Sequence, residues 1–178
     1  MNTSDPFDLL LDLERRTLVG SSGLPTLDQV KEEWVGVGFR IGDSRLIASM
    51  SEVKEILEIP EYTMVPGVKS WIVGVANVRG SLLPILDMKS YLLGEEIKKR
   101  HKGRVIVIDY KGFNTGLIVE EIYGMRHFRE ADITADIPEV PENISPYIDR
   151  AFKQDEEHWS VFDFKEMAQD ERFAHASL

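Results

Sequence analysis

Two aspartates stand where a phosphoryl acceptor could stand: Asp87 ends the run LLPILD and Asp109 ends RVIVID. A phosphoacceptor pocket of that kind needs strands alternating with helices, and that alternation is missing here. Each aspartate therefore reads as the cap of a following turn or helix, which Asp-Met-Lys-Ser from Asp87 allows. Glu120 and Glu121 are adjacent, so in a strand they point to opposite faces and cannot form a catalytic carboxylate pair by themselves. His101, His127, His158 and His175 include no pair at the i, i+4 spacing of a helical metal site. The chain has no cysteine, which excludes thiolate catalysis, disulfides and cysteine-ligated zinc. Neither a Gly-Lys-Ser/Thr phosphate loop nor a nucleotide glycine fingerprint occurs. No catalytic constellation emerges, and we expect no enzyme, no cofactor and no metal centre.

What remains is charge placed for contact. Arg79 lies between two apolar runs in GVANVRGSLLPILDM, residues 74–88. Its planar fork and long stem suit a partner-facing anchor. They equally suit a hairpin arginine paired with a nearby carboxylate, and the residues alone leave both readings open. KKRHKGR, residues 98–104, reads as a solvated loop between two strands, with a local site for an acidic partner as the functional alternative. The net charge of −10 argues against nucleic acid or an anionic membrane surface as the main partner.

Strands must position most of these residues. At 178 residues and 43% hydrophobic content, the chain suits one folded domain with a terminal extension. Residues 7–18, FDLLLDLERRTL, set Phe7, Leu10, Leu11 and Leu18 near one helical face, and GSSGLP at 20–25 reads as a linker. Residues 1–33 are thus an extension carrying a short amphipathic helix. No apolar run approaches the ~20 residues of a spanning helix, so no membrane insertion is expected. MNTSDPFDLLLDLERR has no basic start followed by an apolar core, so no signal peptide is expected.

From Trp34 onward short apolar runs alternate with turn signals: VGVGFRI, RLIASM, WIVGVANVR, LLPILDM, RVIVIDY, TGLIVEEIYGM, YIDRAF and HWSVFDF. EVKEILEI, residues 52–59, has a mixed pattern that fits a helical turn leading into a strand. KSYLLG reads as an amphipathic turn, and FKEMAQDERF as a C-terminal helix. The expectation is a mainly β chain, built as antiparallel barrels or a sandwich, over residues 34–172, with 173–178 as a tail. RLIASMSEVKEIL and TGLIVEEIYGM echo each other loosely, as two similar β-subdomains would.

Within GVANVRGSLLPILDM, Gly80-Ser81 predicts a two-residue type II′ hairpin turn, with Arg79 opposite Leu82, Val78 opposite Leu83 and Asn77 opposite Pro84. Alternation then puts Asn77, Arg79, Leu82 and Pro84 on one face, and Ala76, Val78, Leu83 and Ile85 on a core face. Pro84 has no N–H to donate, which implies an edge strand, a bulge or a different register.

The string Asn77-Val78-Arg79-Gly80 followed by Leu-Leu-Pro-Ile-Leu-Asp resembles the N-L-R-G-x-x-x-P-x-x-D signature of CheW-like chemotaxis adaptors. Val53-Lys54-Glu55-Ile56 is similar to that family's V-x-E-I segment, and Val65-Pro66 to its V-P. Ile72-Val73-Gly74-Val75 matches the lead-in, and Gly116-Leu117-Ile118-Val119-Glu120 resembles its G-L-I-V-D. DPFDLLLDLERR and FRIGDSRLIASMSEVKEIL look most like PilI-type adaptors of twitching motility. Departures lie at Tyr147-Ile148-Asp149-Arg150-Ala151 and Phe162-Asp163-Phe164.

The resemblance implies two small five-stranded β-barrel subdomains packed around a hydrophobic centre. It implies a cytoplasmic, non-enzymatic adaptor recruited to membrane-associated receptor arrays. Such an adaptor bridges the regulatory domain of a CheA-like histidine kinase and the cytoplasmic tip of a methyl-accepting chemoreceptor, here for type IV pilus movement. The implied partner-binding residues are Asn77, Val78, Arg79 and Gly80, with Val53, Glu55 and Ile56 as a second patch. The alternative is a kinase-derived regulatory or ligand-binding domain without an adaptor role.

Overall fold

β-Branched and aromatic residues dominate the runs that follow Trp34, and nearly all of them become strands. The computed structural model describes residues 33–98 and 100–174. The expected N-terminal helix, its linker and the last four residues of the tail lie outside the described residues. In chain order the strands are β1 (Trp34–Ile41), β2 (Ser44–Ser49), β3 (Val53–Leu57), β4 (Tyr62–Thr63), β5 (Ile72–Val78) and β6 (Ser81–Asp87). Helix α1 (Met88–Leu93) follows, then β7 (Arg104–Tyr110), β8 (Phe113–Val119), β9 (Glu121–Phe128) and β10 (Ile133–Thr134). The chain continues through β11 (Ile148–Gln154), β12 (Glu157–Phe162), α2 (Phe164–Gln169) and α3 (Glu171–Ala174).

Two six-stranded sheets result, ordered β10-β11-β12-β2-β1-β9 and β3-β7-β8-β6-β5-β4. The expectation of five strands each is corrected to six. The sixth member is in each case a two-residue edge strand, β10 or β4, too short to show as an apolar run. EVKEILEI supplies a strand, β3, and not a helical turn, because it pairs with β7 from Val53 to Leu57. KSYLLG belongs to a true helix, α1. The single C-terminal helix is corrected to two short ones, broken at Asp170, whose backbone (φ −59, ψ 131) leaves the helical region.

With the second order read in reverse, the two sheets have one topology. The β1–β2 hairpin matches β7–β8, β12 beside β2 matches β6 beside β8, and both of these latter pairs are parallel. Each first hairpin then sends its next strand to the other sheet: β3 joins β7, and β9 joins β1. The loose echo between RLIASMSEVKEIL and TGLIVEEIYGM is this hairpin-to-crossover passage, seen twice. The repeat extends further. Asp87 caps α1 and Asp163 caps α2, and their backbone N–H groups donate to the Trp71 and Tyr147 carbonyls respectively.

One hydrophobic centre lies between the sheets, joining Val37, Phe39 and Leu46 of one to Leu86, Ile106 and Leu117 of the other. Phe39 stacks on Phe164 at 5.7 Å, and Phe162 meets both rings. Each sheet also has its own interior. Leu83, Ile85, Val105 and Ile118 fill one, and Phe128, Phe152 and Trp159 fill the other.

Candidate functional site

The β5–β6 hairpin turns one residue earlier than expected. Val78 pairs with Ser81, Asn77 with Leu82, Ala76 with Leu83 and Val75 with Pro84. Arg79 (φ 51) and Gly80 (φ 83) are the two central residues, the double positive φ of a type I′ turn rather than the expected type II′. Asn77 drives this choice, since its side-chain oxygen accepts a 3.0 Å hydrogen bond from the Gly80 N–H. The correction moves the register by an even step, so the faces survive: Leu83 and Ile85 are buried while Asn77, Leu82 and Pro84 are exposed. Pro84 is on no edge strand, because β6 lies between β5 and β8. From the pair that closes the turn, hydrogen-bonded and open pairs alternate, which makes Val75–Pro84 an open pair that asks for no N–H. On the other side, pairing with β8 begins only at Ile85.

The tip of this hairpin and strand β3 meet. Although β3 is the far edge of the same sheet, the sheet curls enough to place Arg79 Nη1 2.9 Å from Glu55 Oε2. Arg79 stays 78% exposed in this pair, while Glu55 is largely covered at 25%. An exposed pair of this kind adds only about 0–1 kcal/mol, so the guanidinium face remains available to a partner. The reading of Arg79 as a hairpin arginine paired with a nearby carboxylate finds that carboxylate in Glu55. Ile56 is 40% exposed beside it, and Val78 is half-buried among the residues around the sheet's own interior. Val53 differs from its neighbours: it is buried at 8%, inside the central core, and presents no side chain at the surface.

The other charged residues serve the fold. Asp87 is fully buried and accepts from Ser90 N–H, Ile97 N–H and the Arg100 guanidinium, at 2.9–3.1 Å. It is a helix cap and loop anchor, as its sequence context suggested, and it draws one cation of KKRHKGR inward. Glu120 sits at the crossing from β8 to β9, facing Arg40, Lys89 and the Gly42 N–H. These residues line an open, polar cleft of about 750 Å³. Its cations Arg40 and Lys89 already face Glu120. Among the described residues, no group of histidines and carboxylates is placed to hold a metal ion. Glu52 and Asp163 share the start of α2, where both accept from Lys165 N–H. Burial, reinforced by the Asp163 charge, pushes the Glu52 carboxyl above its ordinary range.

Leu82, which alternation set on the outer face, is 77% exposed, although it was not named among the contact residues. Sequence reasoning missed Met64, 78% exposed, which carried no signal.

Residues 35–172 match the model of the CheW-like domain family. The chain belongs to the CheW-like family. Among its relatives, protein PilI of Pseudomonas aeruginosa is 40% identical over 94% of this chain and 94% of its own length. The chemotaxis protein CheW of Bacillus subtilis is 28% identical over 70% of this chain and 80% of its own. The crystal structure of scaffolding protein TtCheW from Thermoanaerobacter tengcongensis superposes with a TM-score of 0.66 at 20% identity. It covers 78% of this chain and 94% of that one, and shows the shared fold. CheW-like proteins are non-enzymatic scaffolding adaptors with kinase and receptor partners. The family departures at Phe162 and Phe164 have a structural reason here: both rings fill the centre between the sheets. Among the described residues, no helix is long and apolar enough to cross a membrane.

Proposed function

We propose that this CheW-like adaptor couples a methyl-accepting chemoreceptor, at its cytoplasmic tip, to the regulatory domain of a CheA-like histidine kinase. The system served is type IV pilus twitching, and the site of action is the cytoplasmic side of a receptor array. The identity of 40% to PilI across almost the whole chain carries this reading. Residues 34–172 supply the adaptor surface.

Contact falls on Asn77, Val78, Arg79 and Gly80 at the hairpin tip, and on Glu55 and Ile56 of β3. Val53 acts from beneath, fixing the β3 backbone in the core. The Arg79–Glu55 ion pair makes the two patches a single surface. Arg79 combines high exposure with a backbone held in a left-handed turn, which sets its long stem and planar fork at the hairpin tip as an interface anchor would need. Arg79→Ala should weaken binding by about 2 kcal/mol, roughly 30-fold, with the fold intact. Co-purification of the variant with the kinase regulatory domain and with the receptor tip tests this. Wild-type binding to both by a folded variant would remove Arg79 from the contact surface.

A further inference from the structure

The repeated topology gives each sheet a corresponding outer face, and among the described residues the chain covers only one of them. In the β11–β12 hairpin that face is formed by the pairs Ala151–Ser160 and Lys153–His158. Ala151 and Ser160 are completely buried. The long connection between β10 and β11 runs across this end of the sheet. Asp136 Oδ2 lies 3.6 Å from His158 Nε2, residues 139–142 line the cleft with Gly42 and Ser44, and Ile144 enters the central core.

The corresponding pairs of the β5–β6 hairpin are Val75–Pro84 and Asn77–Leu82. Here the connection, residues 64–71, is shorter. Val75 is only half-buried, Pro84 is exposed, and Leu82 and Met64 are 77% and 78% exposed. Farther along the same strands this face contributes Ile72 and Leu86 to the central core, so the open part continues a buried apolar surface.

We propose that the face formed by Val75, Leu82 and Pro84, flanked by Met64 and Arg79, docks an extended acidic segment of a partner protein. That segment carries aliphatic residues interrupted by proline, in the manner of this chain's own DIPEVPENI, residues 136–144. The covering of the sister face supplies the template. Charge supplies the second argument. The β11–β12 turn presents Asp155 and Glu156, whereas the corresponding turn here presents Arg79, a highly exposed cation at the end of the open face. An acidic segment would share that cation with its resting partner Glu55, or take it from Glu55. Asp136, Glu139 and Glu142 show the acidic spacing such a cation could meet. The inference rests on the adaptor reading only in taking the occupant to be a protein.

The test titrates the ¹⁵N-labelled full chain with a synthetic, end-blocked peptide of residues 134–146. The expected result is saturable shifts confined to residues 63–65 and 75–83. A peptide with Glu139→Lys and Glu142→Lys should bind at least about fivefold more weakly. Leu82→Asp in the protein should abolish the shifts while leaving the rest of its spectrum unchanged. The inference is overturned by no saturable shifts, by shifts centred on His158 and Ser44, or by equal binding of the lysine peptide. A chain that binds kinase and receptor but not the peptide overturns only this inference. One that binds the peptide but neither protein overturns only the adaptor reading.

Discussion

At the scale of single residues, the chain separates carboxylates that hold the fold from those that face outward. Asp87 and Asp163 occupy matching caps, yet their surroundings differ. Asp87 is fully buried with three donors, including Arg100, while Asp163 is half-buried and accepts from two N–H groups. Removing a buried carboxylate strands its donors, so Asp87→Ala should cost about 2–4 kcal/mol. Asp163→Ala, a cap near solvent, should cost about 1 kcal/mol. Urea denaturation of the two variants measures the gap, and equal losses would contradict it. Glu52 works in the opposite sense. Its folded pKa lies above the unfolded value, so the folded state holds the proton more tightly and loses stability as pH rises through that window. Glu52→Gln should therefore raise Tm at pH 7 and lose that advantage well below pH 4, where both states are protonated. A Tm difference unchanged between those pH values would show that the carboxyl is not titrating as described.

At the scale of elements, legibility in the sequence followed the range of the forces involved. The GVANVRGSLLPILDM hairpin and its two faces follow from alternation and a turn signal, which are local. The register was missed by a step because Asn77 and Gly80 together outweigh the preference of glycine for the first central position. Asp87 as a cap was legible, while its bonds to Ile97 and Arg100 depend on a loop fold that no local pattern states. The partner of Arg79 was invisible for the same reason: Glu55 reaches it only because the sheet curls. Gly74 shows how close these passages run. A Cβ built there would lie 2.4 Å from the Thr63 carbonyl oxygen, on the strand that pairs beside it. Backbone cannot yield as a flexible side chain would, so Gly74→Ala should displace β4 and cost roughly 1–3 kcal/mol. Hydrogen exchange should quicken at Tyr62–Val65 more than elsewhere. Uniform exchange would instead point to a global loss of stability.

For the whole molecule, strand exchange is the feature with the largest energetic consequence. Because β3 and β9 each leave their own hairpin to complete the other sheet, neither sheet contains all its strands without the other. The centre between them is shared as well, with Phe39 of one sheet completely buried in a cluster that includes Leu86, Ile106 and Leu117 of the other. Two similar subdomains joined by a linker would unfold in two steps, whereas two sheets that trade strands should unfold together. Phe39→Ala should therefore lower stability by about 3–5 kcal/mol, the usual cost of emptying an aromatic site in a core. The loss should appear in one transition for both halves. Trp159, inside the β11–β12 sheet, and Trp71, packed on Tyr91 of α1, report from the two sides. Single-tryptophan versions of the wild type and of Phe39→Ala, followed by fluorescence and far-UV circular dichroism in urea, should give coincident midpoints. Separate midpoints for Trp71 and Trp159 would mean that the sheets fold independently, and that the exchanged strands add contacts without coupling the halves.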